Sequence, residues 1–263
     1  MERQTPPEPA DPASDQAAPL DRRTFLRKCF LSSPVLLGIL AVDEAAGEGE
    51  ATEGACYGMG IRVDQCIGCG RCAAACKAEN DVPREPFFFR TWVERYVVRE
   101  RDEVAVDSPN GGIDGFPVQE ADAGDVLRTF FVPKLCNHCT NAPCVQVCPV
   151  GATFSTAEGV VLVDRDYCIG CRYCIQACPY GARFLHPVTR TAEKCTFCYH
   201  RVSRGLAPAC VEACPTGARI FGDIHRRSSP LARLFRFHNI QVLKPNLNTE
   251  PKVFYAELDG VVS

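Results

Sequence analysis

The sequence predicts an α+β chain built from two related βαββαβ halves, with a β-rich insertion and a C-terminal helix/strand extension. Three observations carry that prediction. Sixteen of the eighteen cysteines fall into four runs of four. Three of those runs close on one repeated unit, Cys-Pro-x-Gly-Ala, at Cys148, Cys178 and Cys214. The apolar fraction of 46% drops to about 39% once cysteines are left out, so a conventional core is modest for 263 residues and metal ligation has to help hold the fold.

Taken in chain order, Met1 to Leu20 is rich in Pro, Ala, Asp and Glu and reads as a disordered leader. Asp21-Arg22-Arg23-Thr24-Phe25-Leu26-Arg27-Lys28 then precedes an apolar stretch from Cys29 to Val42, and small and acidic residues follow from Asp43. That order reads as a twin-arginine signal with cleavage near Ala45-Ala46. The stretch is 14 residues long and holds Ser32, Ser33 and Pro34, short of the roughly 20 needed to cross a bilayer. An uncleaved anchor is the competing reading. Residues 1–46 are therefore assigned to targeting and 47–263 to the working domain. The net charge of −3, without a long single-sign run, gives nucleic acid nothing to hold.

Ile61 to Gln65 is expected to be a strand that feeds the first run, Cys66, Cys69, Cys72 and Cys76. The second run is Cys136, Cys139, Cys144 and Cys148; the third is Cys168, Cys171, Cys174 and Cys178; the fourth is Cys195, Cys198, Cys210 and Cys214. All four open with two intervening residues and close with three. The third fits the bacterial ferredoxin pattern C-x2-C-x2-C-x3-C-P throughout, the first has Lys77 in place of the proline, and the second and fourth widen the middle gap. Three clustered thiolates can wrap three irons of one cubane, while a fourth placed three residues on points elsewhere and serves a neighbouring cluster. The pattern thus predicts four [4Fe-4S] clusters in two bacterial-ferredoxin-like (βαββαβ) halves.

Val161 to Tyr167 is expected to be a strand entering the third run, and Thr153 to Val163 a hairpin bending at Gly159. The 59 residues from Lys77 to Leu135 are too many for a plain loop. Phe87–Val98, Val104–Val106 and Val126–Val132 supply three strands there, with a turn at Ser108–Gly112 and Trp92 as a packing residue. The extension covers residues 222–263. In it Ser229-Pro230 caps a helix to about Phe237, and Ile240–Leu243 and Val253–Leu258 read as strands. Leu231, Leu234, Phe235 and Phe237 make a broad apolar stripe that calls for cover, either the cluster domain or another subunit.

Disulfides and zinc compete poorly. Triplets spaced by two residues are poor disulfide geometry, and zinc sites present two separated pairs. Cys29 lies inside the signal, and Cys56 reads as a free or packed thiol. His138, between Cys136 and Cys139, is read as structural because every run already has four cysteines. His186, His200, His225 and His238 show no catalytic spacing, and no catalytic residue is assigned.

Over roughly residues 57–260, resting on all sixteen cysteines, the chain resembles the iron–sulfur subunits of the dimethyl sulfoxide reductase and polysulfide reductase superfamily, tetrathionate reductase beta subunits among them. It is also similar to the exported ferredoxin subunits of sulfite-reductase-linked membrane complexes. The resemblance implies that runs one and four share a cluster pair, and runs two and three another. Carried over, Cys66, Cys69, Cys72 and Cys214 hold one cluster, and Cys195, Cys198, Cys210 and Cys76 its neighbour. Cys136, Cys139, Cys144 and Cys178 hold a third, and Cys168, Cys171, Cys174 and Cys148 the fourth. Some members replace a fourth-run ligand and carry a [3Fe-4S] centre; here none is replaced. The function implied is an electron-transfer subunit, not itself an enzyme, periplasmic and membrane-associated through a partner. It would link a quinone-interacting integral membrane subunit to a molybdopterin catalytic subunit, and it takes no small-molecule substrate of its own. A membrane complex without molybdenum, with a cytochrome or sulfur-pathway partner, is the alternative, and a structural metal-binding scaffold is the alternative of another class.

Overall fold

The computed structural model describes residues 54–85, 87–100, 103–117 and 126–262. The leader, the twin-arginine segment and Cys29 lie outside the described residues.

Strand β1 (Tyr57–Arg62) runs in a four-stranded sheet ordered β10 (Ile240–Gln241), β11 (Val253–Ala256), β1 and β9 (Arg219–Asp223). It pairs antiparallel with β9 and parallel with β11, Met59 opposite Val253 and Ile61 opposite Tyr255. Met59, Ile61, Val253 and Tyr255 are fully buried and form the middle of the main core. The C-terminal strands are therefore an integral part of the sheet that carries the first cysteine run, a placement that their sequence distance conceals.

The insertion is the three-stranded sheet the sequence predicts, ordered β3 (Val104–Asp107), β2 (Thr91–Arg99) and β4 (Val126–Leu135). Alternation along β2 gives Trp92, Glu94 and Tyr96 to one face, where the Trp92 indole N–H donates to Glu94 Oε1 (2.7 Å) and the Tyr96 hydroxyl to Glu94 Oε2 (2.9 Å). Trp92 is thus a half-buried packing residue. Several edges differ from expectation. Backbone turns back immediately before a ligand loop, so β1 ends at Arg62 and Val63–Gln65 is a 3-10 turn, while the strand before run three, β6 (Val161–Val163), ends four residues early. The aromatic strand starts at Thr91 rather than Phe87, Ser108–Gly112 tightens into a 3-10 turn at Pro109–Gly112, and β10 covers two residues of the predicted four.

Helices α1 (Arg71–Glu79), α2 (Pro143–Gln146), α3 (Tyr173–Gln176), α4 (Tyr199–Val202) and α5 (Ala209–Glu212) each start within or beside a cysteine run. With β5 (Thr153–Ser155), β7 (Arg183–Leu185) and β8 (Ala192–Lys194), the chain order β4–α2–β5–β6–α3–β7 spans runs two and three without interruption. β5 and β6 form the expected hairpin. The outer strands do not close on one another, however: β4 gives its ladder to β2, and β7 pairs with β8 on the way into run four. The other half is discontinuous, joining β1 and α1 to α5 and β9.

Helix α6 (Pro230–Phe237) begins as predicted: the Ser229 hydroxyl accepts from the Ala232 N–H (3.1 Å) and donates to the Asp223 carbonyl (2.7 Å). Leu231 and Leu234 pack on β1 and β9, where Gly58 and Gly60 leave the room, and Phe235 meets Phe254. Phe237 departs from the expected stripe and stands 75% exposed. Among the described residues no helix is long and apolar enough to cross a membrane.

Candidate iron–sulfur centres

All seventeen described cysteines are free thiols, which removes the disulfide reading for them. The residue just before the second cysteine takes the left-handed backbone in every run: Gly68 (φ 68°), His138 (44°), Gly170 (68°) and Phe197 (52°). This turn curls the loop so that its thiols face inward, and it explains why glycine serves in two runs. Close approach adds a second constraint at Gly170, where a Cβ would lie 2.4 Å from the Arg190 carbonyl oxygen. Gly70, also left-handed, has its Cβ position 2.0 Å from the Gly112 carbonyl, so the insertion closes directly over the first loop.

Two cavities show what the loops gather. One is walled by Cys66, Cys69, Cys72 and Cys214, with Val93 and Pro133 of the insertion and Arg219. The other is walled by Cys76, Cys195, Cys198 and Cys210, with Thr91 and Asn80. Runs one and four thus exchange their last cysteines. In the other half Cys136, Cys144 and Cys178 all face Cys139, and Cys144 and Cys168 face Cys174. Cys148 and Cys171 are not brought to that last group by any of these interactions.

The repeated Cys-Pro-x-Gly-Ala tail has a function of its own. It folds the backbone so that N–H groups two, four and five residues on point at the sulfur of its cysteine. Burial pushes the Cys148 and Cys214 thiols up, yet the amides of Val150, Ala152 and Thr153, and those of Thr216, Ala218 and Arg219 with the Thr216 hydroxyl, outweigh it and leave both thiols below the ordinary value. Cys178 receives the amides of Tyr180 and Ala182, but burial prevails there. Burial pushes Cys66, Cys139 and Cys210 up to about 11 each. Such thiols stay protonated at neutral pH unless a metal takes them.

Cations stand among the thiols. Arg219 is buried, donates from Nη2 to Thr91 Oγ1 (2.7 Å), and faces Cys72, Cys210 and Cys66. Arg183 is buried and donates to Cys144 Sγ (3.0 Å) and Thr153 Oγ1 (3.4 Å). Lys194 is buried, donates to the Val161 and Cys195 carbonyls, and faces Cys136 and Cys195. His138 is fully buried; its Nδ1 accepts the Val161 N–H (3.0 Å) and its ring stacks on Phe197. Burial, then Lys194, Lys252 and Arg183, hold its pKa well below the ordinary histidine value, so the ring is neutral. The sequence reads His138 as structural and assigns Arg183, Arg219 and Lys194 no role, although Arg183 and Arg219 follow the repeated tail at the same distance. Cys56 is half-buried, its N–H on Asp223 Oδ1 (3.0 Å) and burial raising its thiol.

This donor set suits a multi-atom anion. Among the described residues no three His, Cys, Asp or Glu side chains converge closely enough to hold one metal ion, as a zinc site would need with Zn–S near 2.3 Å. Arg183 Nε, and Arg219 Nε and Nη1, are buried N–H groups with no acceptor among the described residues, which anionic sulfur would supply.

Comparison with known proteins agrees. The 4Fe-4S dicluster domain is matched twice, over residues 65–152 and 127–224. The chain is 45% identical over 205 residues to the B subunit of tetrathionate reductase from Salmonella typhimurium (strain LT2), covering 77% of this chain and 73% of that one. It is 40% identical over 216 residues to a Halobacterium salinarum protein assigned as a dimethyl sulfoxide reductase iron–sulfur subunit, covering 76% and 78%. With protein NrfC of Escherichia coli (strain K12) it shares 41% identity over 238 residues, covering 88% and 95%. Cubane-spaced cysteine runs, thiol-lined cavities and these relatives agree, and the chain belongs to the iron–sulfur, electron-transfer subunits of the dimethyl sulfoxide reductase and polysulfide reductase superfamily, with four [4Fe-4S] clusters as its cofactors.

Proposed function

We propose that the chain relays electrons between a quinone-interacting integral membrane subunit and a molybdopterin catalytic subunit, after export in the folded state through the Arg22-Arg23 signal to the periplasm. The observation that carries this reading is the exchange of last cysteines between runs one and four, which puts two thiol cavities side by side. The ligand sets follow: Cys66, Cys69, Cys72 and Cys214; Cys76, Cys195, Cys198 and Cys210; Cys136, Cys139, Cys144 and Cys178; Cys148, Cys168, Cys171 and Cys174. When bound, the clusters supply one-electron exchange without bond rearrangement.

The residues shape a path through these sets. Cys195 of the second faces Cys136 of the third, so the sets form one series. Its ends come to the surface. Cys69 and Cys171 are the two exposed members of the sixteen, and Ile67 and Ile169 beside them are 59% and 66% exposed. Apolar side chains at both ends exclude water from a docked partner's contact, while the middle sets are buried except for the half-buried Cys178.

Purification of the full complex, with iron and sulfide analysis and paramagnetic resonance on progressive reduction, tests the relay. Four magnetically coupled cubanes and a co-purifying molybdopterin subunit are expected; isolated zinc-filled sites would refute it, and a cytochrome in place of the molybdopterin subunit would select the alternative complex. For export, Arg22→Lys with Arg23→Lys should trap cluster-loaded protein in the cytoplasm, and unchanged periplasmic yield would exclude that route.

A further inference from the structure

Arg183 and Arg219 occupy one position of the repeat, five residues after Cys178 and Cys214, and each is the first residue of a strand, β7 or β9. Their surroundings match as well. Both are buried, 5% and 3% exposed. Each donates to a threonine hydroxyl contributed by the other part of its half, Thr153 for Arg183 and Thr91 for Arg219. Each retains at least one buried N–H with no acceptor among the described residues.

The positions lie between cluster sites. Arg219 forms part of the wall of the first cavity and grips Thr91, which lines the second. Arg183 is 3.0 Å from the sulfur of Cys144 in the third set and lies beside Cys174 of the fourth. Sulfur is what surrounds each guanidinium.

We propose that Arg183 and Arg219 are the counter-charges of the two cluster pairs, each set between the two clusters of one half and raising the reduction potential of both together. They are positioning residues for electron transfer. Arginine stays protonated under all protein conditions, so the charge is fixed. A buried cation without a counter-ion is strongly unfavourable, and an iron–sulfur cluster held by thiolates is a net anion that offsets this. Reduction adds negative charge beside the cation, so the reduced form gains more from it than the oxidised form. Because one cation serves two clusters, both move in the same sense and the step between them stays level. The inference rests on the ligand sets proposed above.

The test is a potentiometric titration of the four-cluster protein, followed by paramagnetic resonance, in Arg219→Gln, Arg183→Gln and the matching Lys variants, with iron content measured first. Arg219→Gln should lower the reduction equilibrium constant of both clusters of the run-one and run-four pair by about tenfold each, which is about 59 mV for a one-electron couple, and leave the other pair unchanged. Arg183→Gln should do the converse. Unchanged potentials, or a shift confined to one cluster, would overturn the proposal. If a Gln variant binds less iron, the Lys variants decide: reduction equilibrium constants within about threefold of the parent are expected, and a fully loaded Lys variant whose constant falls about tenfold would place the effect in geometry, not charge. Wrong ligand sets would show separately, as loss of an unexpected cluster signal in single Cys→Ser variants with the arginines intact.

Discussion

His138 and Phe197 stack with ring centroids 3.7 Å apart and an interplanar angle of 24°, each standing just before the second cysteine of its run in the left-handed backbone region. The pair ties the loop of run two to the loop of run four, and so joins the two halves where Cys136 and Cys195 approach. Phe197→Ala removes a fully buried ring, and a loss of about 3–5 kcal/mol is expected in denaturant unfolding of the loaded protein. A loss under about 1 kcal/mol would show that the stack does not hold the halves.

Arg90 donates to Glu193 across 2.5 Å with both side chains buried, and it also holds Asn80, whose amide reaches the sulfurs of Cys76 and Cys198. Glu193→Gln should cost about 3–5 kcal/mol, because it leaves a buried guanidinium without its carboxylate. Arg165 also reaches Glu193 but is half-exposed, and Arg165→Ala should cost below about 1 kcal/mol. Chemical denaturation of the two variants side by side checks the order.

Cys76→Ser should damage the cluster whose other ligands are Cys195, Cys198 and Cys210, with its own run-mates Cys66, Cys69 and Cys72 still loaded. Paramagnetic resonance of the variant reads this directly. Loss of the run-one signal instead would show the exchange of last cysteines to be wrong.

Gly70→Ala would drive a methyl against the Gly112 carbonyl at a left-handed position. The insertion must then lift from the first loop, and the variant is expected to bind about one cluster fewer by iron analysis. Full loading would show that the insertion yields easily.

Ser229→Ala removes both the cap of α6 and the hydroxyl bond to Asp223. A cost of about 1–2 kcal/mol is expected from thermal unfolding of the loaded protein. A loss of a few tenths would mean water replaces the cap.

The ligands and the local punctuation are legible in the sequence, because cysteine spacing, Ser229-Pro230 and the Gly159 bend act within a few residues. What lies between distant segments is not. Nothing near Val253 says that it pairs with Met59, since the strand is short and its partner is 194 positions away. His138 is read from the sequence as structural, and so it is, but the form of that role is not visible there: a backbone angle shared with Gly68 and Gly170 and a ring partner in another run. Arg183 and Arg219 are visible as the residue after Gly-Ala, but spacing alone cannot show that a side chain is buried between sulfurs. Phe237 fits the apolar stripe by spacing and yet stands in the open, since such a stripe on a helix need not be covered along its whole length.

Strand β11 lies parallel to β1, and the Met59 N–H donates to the Lys252 carbonyl at 2.9 Å. The sheet edge beside the first cysteine run is therefore filled by residues made long after it. A chain in which residues 253–256 are missing or not yet made presents β1 with an open edge, so the run-one half matures only after runs two and three have both been made. Synthesis thus builds in an order of assembly, with runs two and three free to fold first.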